Sequence, residues 1–168
     1  MAALTAAGIS VFSPYAQTPD GSKTREARPV ITHAAVGARV VVSSTHTGNE
    51  DEGDPRCLVD GKLHTRWSSE YRSPQYVEVY FPRRISLHEL RLHWEQACAA
   101  RYFVSVSADG TSWTTAHFYL NKSARTEPRL DRIPLKDTPA AAIRLDLLAS
   151  VNTNWGFSLY EIEVVPSR

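Results

Sequence analysis

Cys57-Leu-Val-Asp60-Gly61-Lys-Leu-His64-Thr65-Arg66-Trp67-Ser-Ser69 opens on an apolar pair, turns at Asp60-Gly61 and ends on an aromatic residue between Arg66 and serines. Asp-Gly is a strong turn signal, because glycine takes positive φ freely and aspartate hydrogen-bonds the backbone that follows. Asp60 and Thr65 straddle that turn, so a carboxylate and a hydroxyl can converge with loop carbonyls on a hard cation. Such an ion, calcium above all, takes about six to eight oxygens. The plainer reading is an Asp-Gly turn followed by a buried Trp67, with no metal. Taken alone, the residues leave both open.

Outward from this segment the chain is written in strands. Upstream, Ala38-Arg-Val-Val-Val-Ser43 reads as a strand and Ser44–Arg56 as a polar loop carrying Glu50, Asp51, Glu52 and Asp54. Downstream, Gln75–Phe81 alternates with the period of a half-buried strand, and Pro82 is expected to end it. Ile85–Trp94 alternates again. Tyr102–Ser107 and Trp113–Leu120 flank Asp109-Gly110, a hairpin with a slightly long turn. Leu130–Leu135, interrupted by Pro134, then Ala141–Leu148 and Leu159–Val165 complete the series. No segment of helical length shows a helical period. About eight strands separated by turns predict an all-β fold, an antiparallel β-sandwich of jelly-roll type.

The 168 residues suffice for one domain with its own core. Residues 1–35 are weakly patterned and read as an N-terminal extension or linker, with one strand near Ile9–Phe12; the sandwich is expected over 36–168. A net charge of +1 provides no global field for nucleic acid or an anionic membrane. No apolar run is long enough to span a bilayer, and Met1–Gly8 lacks the basic start and apolar length of a signal peptide. Cys57 and Cys98 fit neither a disulfide scaffold nor a zinc site; Cys57, in an apolar run, reads as a small buried hydrophobe.

Seven blocks occur in a recognisable order: Val41–Ser44, Leu58–Gly61, Thr65–Ser69, Gln75–Val79, Leu92–Glu95, Val104–Gly110 with Trp113, and Asn154–Glu161. Together they resemble the coagulation factor V/VIII type C, or discoidin-like, domains. The resemblance is greatest to the family 32 carbohydrate-binding modules of bacterial glycoside hydrolases, and it spans about Ala38 to Val165. It implies a galactose-binding-domain-like sandwich with a structural calcium. The implied ligands are the Cys57 carbonyl, Asp60 carboxylate, Lys62 carbonyl, Thr65 carbonyl and hydroxyl, Tyr160 carbonyl and Glu161 carboxylate. That all-oxygen set is calcium rather than zinc chemistry. Lys62 departs from the acid or amide common there; an inward-folded ammonium would replace the ion.

A sugar offers an apolar face and a rim of hydroxyls, so its site needs an aromatic platform and a few planar polar groups. Loop residues His46, Arg66, Tyr71, Glu95 and Trp155 are the candidates. The resemblance places Arg66, Tyr71 and Glu95 at sugar-contacting positions, with Trp155 as stacking ring and Asn154 beside it. Each has a duller alternative. Arg66 suits a structural ion pair equally well, and the case for Tyr71 rests on the resemblance. Trp67, Trp94 and Trp113 are assigned to the core. His46 stands where chitosan-binding relatives carry an acid and galactose-binding relatives a histidine.

The implied function is a non-catalytic module attaching a glycan-active enzyme, through a catalytic domain of a larger protein, to β-glucan, chitosan or a galactose-containing glycan. A secreted or extracellular location follows from that role. The alternative is a discoidin-type domain on a phospholipid surface or a protein partner. Its relatives use apolar loop tips and a terminal disulfide, neither of which this sequence offers. Catalysis would need two carboxyls facing across a glycosidic bond, and no such constellation stands out.

Overall fold

A computed structural model describes residues 30–46, 53–121 and 125–168. Among them run seven strands: β1 (Arg39–Val42), β2 (Trp67–Ser68), β3 (Gln75–Trp94), β4 (Ala99–Ser107), β5 (Thr114–Leu120), β6 (Arg129–Ser150) and β7 (Ser158–Pro166). One short 3-10 helix, Pro55–Val59, is capped by the Asp54 side chain and leads into the Asp60 turn. All pairings are antiparallel, in the order β2-β7-β3-β6-β4-β5 with β1 on β3. The expected strand near Ile9–Phe12 and most of the acidic loop at 47–52 lie outside the described residues.

Two expected breaks are bends instead. Pro82 does not end a strand: β3 passes through it on an exposed stretch, and its pairing with β6 skips from Tyr80–Ala142 to Ile85–Ala140. Further along, where β3 steps from Leu87 to Glu89, β6 bends at Lys136 and Asp137, both at positive φ. Proline is tolerated at such an irregular point because no ladder bond is asked of its nitrogen. The N-terminal half of β3 pairs with β1 and with the C-terminal half of β6. Its C-terminal half pairs with β7 and with the N-terminal half of β6. The two long strands thus cross from one layer of the sandwich to the other, so stretches expected as separate strands run on within β3 and β6.

Alternation fills the core. Val77, Val79 and Phe81 face inward, then a register shift between Leu87 and Glu89 flips the phase so that Leu87, Leu90, Leu92 and Trp94 all point in. Trp67, Trp94, Tyr102 and Phe157 are the largest fully buried side chains. Trp113 is not core as expected. It precedes β5, stays half-buried and meets Tyr80 edge-on at 6.4 Å. Cys57 and Cys98 are both buried free thiols. Asp131 is a buried carboxylate that accepts from Trp94 Nε1 (2.8 Å), Tyr102 Oη (2.9 Å) and Arg129 Nε (2.8 Å).

Residues 30–35, at the end of the segment read as an extension, lie against the sandwich as a strap. Val30 bridges Lys62, the Ile31 amide donates to Gly61 O (2.7 Å), the Ala34 amide to Val164 O (3.1 Å), and Ala35 is fully buried. Packing therefore begins at least six residues before Val36.

Candidate functional site

Four connecting segments meet at one cleft. Trp67, wholly buried, donates from Nε1 to Ser44 O (3.1 Å), anchoring the segment that presents His46. The His46 amide donates to Ser68 O (2.8 Å). The ring of Tyr71, 65% exposed, stacks on His46 at 4.8 Å, with its hydroxyl 3.4 Å from His46 Nε2. Glu95 follows directly on the last residue of β3. Its amide donates to Ser158 O (3.1 Å), and its Oε2 accepts from the Ala97 amide (2.9 Å), which aims the carboxylate.

The Trp155 segment is pressed on the segment after β2. Ser69 donates its amide to Phe157 O (2.9 Å), and Ser69 Oγ accepts from the Phe157 amide (2.9 Å). A Cβ at Gly156 would stand 2.5 Å from Glu70 O and 2.5 Å from Ser69 Oγ, so only glycine permits the approach. The resulting cleft, about 240 Å³, is lined by His46, Arg66, Tyr71, Glu95 and Trp155 together with Ser68, Ser69, Gln96, Ala97, Gly156, Phe157 and Ser158. Five of the six residues singled out for sugar contact thus share one wall system. Asn154 does not line it; its amide is turned to Asn152 Oδ1 (3.0 Å).

Gln96 and the Ala97 backbone carry no signal in the sequence, because nothing in their type marks a lining role. Beneath the cleft, burial pushes the Tyr160 phenol up, the Glu95 carboxylate adds to the rise, and Arg66 works against it. A larger hollow of about 600 Å³ lies between β5 and the bend of β6. Its walls, among them Thr114, Ala116, Pro134 and Leu135, carry no aromatic platform.

Of the residues expected around a cation, Asp60, Lys62 and Thr65 share one turn. Asp60 Oδ1 accepts from the Lys62 amide (2.9 Å), and Oδ2 from Thr65 Oγ1 (2.9 Å); Thr65 Oγ1 lies 3.3 Å from Lys62 O. Oxygens sharing a calcium at about 2.3–2.6 Å stand about 3 Å apart, and these do. Glu161 is fully buried, and its Oε2 makes no hydrogen bond of good geometry, although the Gly61 amide lies close enough to the carboxylate to favour its charge slightly. Burial pushes its pKa up, the His33 bond opposes this, and nearby Asp60 adds to the rise. An orphaned buried carboxylate oxygen beside a second carboxylate is what a cation would relieve, so the residues fit the ion. Lys62 Nζ, 3.7 Å from Asp60 Oδ2, is the competing charge, on a half-exposed side chain able to swing away. Among the described residues no three His, Cys, Asp or Glu side chains gather as a metal cluster; the fit rests on two carboxylates with carbonyl and hydroxyl oxygens.

A family model for the F5/8 type C domain matches residues 40–162. The chain belongs to that family. Among solved structures, the domain is similar to chitosan-binding module 2, in complex with chitotriose, of a chitosanase/glucanase from Paenibacillus sp. IK-5. The two are 30% identical with a TM-score of 0.68, over 79% of this chain and 99% of the module. Module 1 of the same enzyme is 27% identical, with a TM-score of 0.66 over 80% and 98% of the two chains. A family 32 module from Clostridium perfringens, in complex with GalNAc-β-1,3-galactose, shares the fold at 20% identity, with a TM-score of 0.68 over 80% and 99%. No curated protein matches the domain in a sequence search. Among the described residues no helix is long and apolar enough to cross a membrane.

Proposed function

We propose that this domain is a non-catalytic carbohydrate-binding module that holds a glycan-active enzyme on a polysaccharide outside the cell. The observation that carries the reading is the convergence of an exposed His46–Tyr71 stack, Trp155, Arg66 and Glu95 on one open cleft. Rings supply apolar faces for the sugar, while Arg66 and the remaining Glu95 oxygen supply planar hydrogen bonding to hydroxyls. Support for a chitosan or β-glucan target comes from the 30% identical chitosan-binding module. A galactose-containing glycan is the competing ligand, favoured by His46. Among the described lining residues Glu95 is the one carboxylate, whereas glycoside hydrolysis uses a facing pair. The same reading includes a structural calcium held by Asp60, Thr65 and Glu161 with the carbonyls of Cys57, Lys62 and Tyr160.

Affinity electrophoresis through native gels containing chitosan, barley β-glucan, laminarin or galactomannan tests this directly. One polymer should retard the domain, and Trp155→Ala should abolish the retardation while leaving the melting temperature nearly unchanged. Retardation by none, together with binding to anionic vesicles, would replace the reading with the discoidin-type lipid one.

A further inference from the structure

The strap at 30–35 does more than cover the sandwich. His33 is almost completely buried, with 2% of its side chain exposed, and it reaches a residue 128 positions away. Its Nδ1 accepts two backbone amides, from Ala35 (3.2 Å) and Val164 (3.3 Å). A ring nitrogen that accepts carries no hydrogen, so the hydrogen of this imidazole sits on Nε2. Nε2 is 3.0 Å from Glu161 Oε1 and donates to it. One carboxylate oxygen is thereby tied to the strap, and the other, Oε2, is left buried beside the Asp60 loop.

The strap holds that loop as well. Gly61, at φ +75°, lies so close beneath Ile31 that a Cβ there would sit 2.4 Å from Ile31 O. The Ile31 amide returns a bond to Gly61 O (2.7 Å). One short segment upstream of the residues matched to the family thus bonds the Glu161 carboxylate and the backbone of the turn that follows Asp60.

We propose that His33 is a positioning residue of the cation site: by donating to Glu161 Oε1 it presents Oε2 to an ion shared with Asp60 and Thr65. This rests on the calcium reading above. Partners that orient a ligating side chain commonly contribute about 10–100-fold to metal affinity. The strap is then part of the site, and a chain trimmed to the family match would bind the ion poorly.

The test is calorimetric calcium titration of the chelator-treated full chain, first unaltered, then as His33→Leu, His33→Gln and Asp60→Ala. His33→Leu fills the space without a donor and should weaken calcium by about 10–100-fold. His33→Gln can still donate to Glu161 and should recover most of that loss; Asp60→Ala should abolish binding. Nitrogen-edited NMR of the unaltered chain adds a readout that needs no variant. The His33 Nε2–H signal should be present without calcium and move on saturation. Full affinity in folded His33→Leu, equal losses in the Leu and Gln variants, or an unmoved Nε2–H signal would each overturn the proposal. Failure of the unaltered chain to bind calcium would instead remove the calcium reading, and the His33 proposal with it, before any variant is compared.

Discussion

Gly156→Ala tests how the cleft is assembled. The added methyl meets three atoms closer than any real Cβ does: Glu70 O at 2.5 Å, Ser69 Oγ at 2.5 Å and Ser69 O at 2.7 Å. Two of these are backbone carbonyls, which cannot rotate away as a side-chain end could. The segments must separate, at about 1–3 kcal/mol for overpacking. Separation also strains the paired Ser69–Phe157 bonds, each worth about 1 kcal/mol. The total is about 2–5 kcal/mol. At about 2–4 °C per kcal/mol for a chain of this size, the melting temperature should fall by about 4–20 °C.

Gly37→Ala is the matched control. Gly37, unlike Gly156, takes positive φ, at +75°, and nothing lies within 4 Å of the point a Cβ would occupy, so only backbone strain of about 1–2 kcal/mol is added. Thermal melts and affinity electrophoresis of both variants separate the two effects. Gly156→Ala should melt lower and lose polymer retention, because Trp155 is its immediate neighbour; Gly37→Ala should retain it. A Gly156→Ala protein that melts no lower than Gly37→Ala and keeps full retention would refute the steric argument.

Asp131→Ala should cost about 3–5 kcal/mol in chemical denaturation, because it leaves Trp94 Nε1–H, Tyr102 Oη–H and the Arg129 guanidinium without their shared buried acceptor. A loss under about 1 kcal/mol would mean that water replaces the carboxylate there. Asp109 Oδ1 accepts the amides of Ser112 (2.7 Å) and Thr111 (2.8 Å), and these bonds, Ser112 first, hold its carboxyl far below the usual aspartate range. Its folded pKa is depressed, so its stabilising contribution is complete above the ordinary aspartate value and is lost as pH falls through the folded one. The stability gap between the unaltered chain and Asp109→Ala should therefore be constant near neutrality and narrow only in strong acid; NMR titration of the carboxyl with an ordinary midpoint would contradict this.

What can be read from the sequence is local. Gln75–Phe81 announces a half-buried strand because its period of two survives within seven residues, and the ordered motif blocks place the cleft residues without any geometry. The continuity of β3 through Pro82 and of β6 through Lys136 cannot be read that way. Both bends are set by where the two layers must meet, and a proline at a bend looks like a proline at a strand end. Alternation carried back from β5 misplaces Trp113, because the residue belongs to the turn. His33 gives no signal at all: a single histidine in a weakly patterned segment acquires its role only when β7 lies beneath it. Asn154 draws attention through its neighbour Trp155, but it is not among the residues that line the cleft.

The cleft and the cation loop are built from adjacent residues. Thr65 donates to Asp60 on one side, and Arg66, next in the chain, lines the cleft on the other. Tyr160 lies under the influence of Glu95 and Arg66, and Glu161 follows it toward His33. Neighbouring residues on an extended backbone point to opposite sides, so each pair divides itself between the two clusters without a bend or insertion. Both clusters also depend on a glycine under close backbone approach, Gly61 beneath the strap and Gly156 against Ser69. The peptide between Thr65 and Arg66 is therefore held from the cation side before any sugar arrives. That places the cost of ordering the Arg66 segment in folding, so a ligand entering the cleft would not have to meet it on binding.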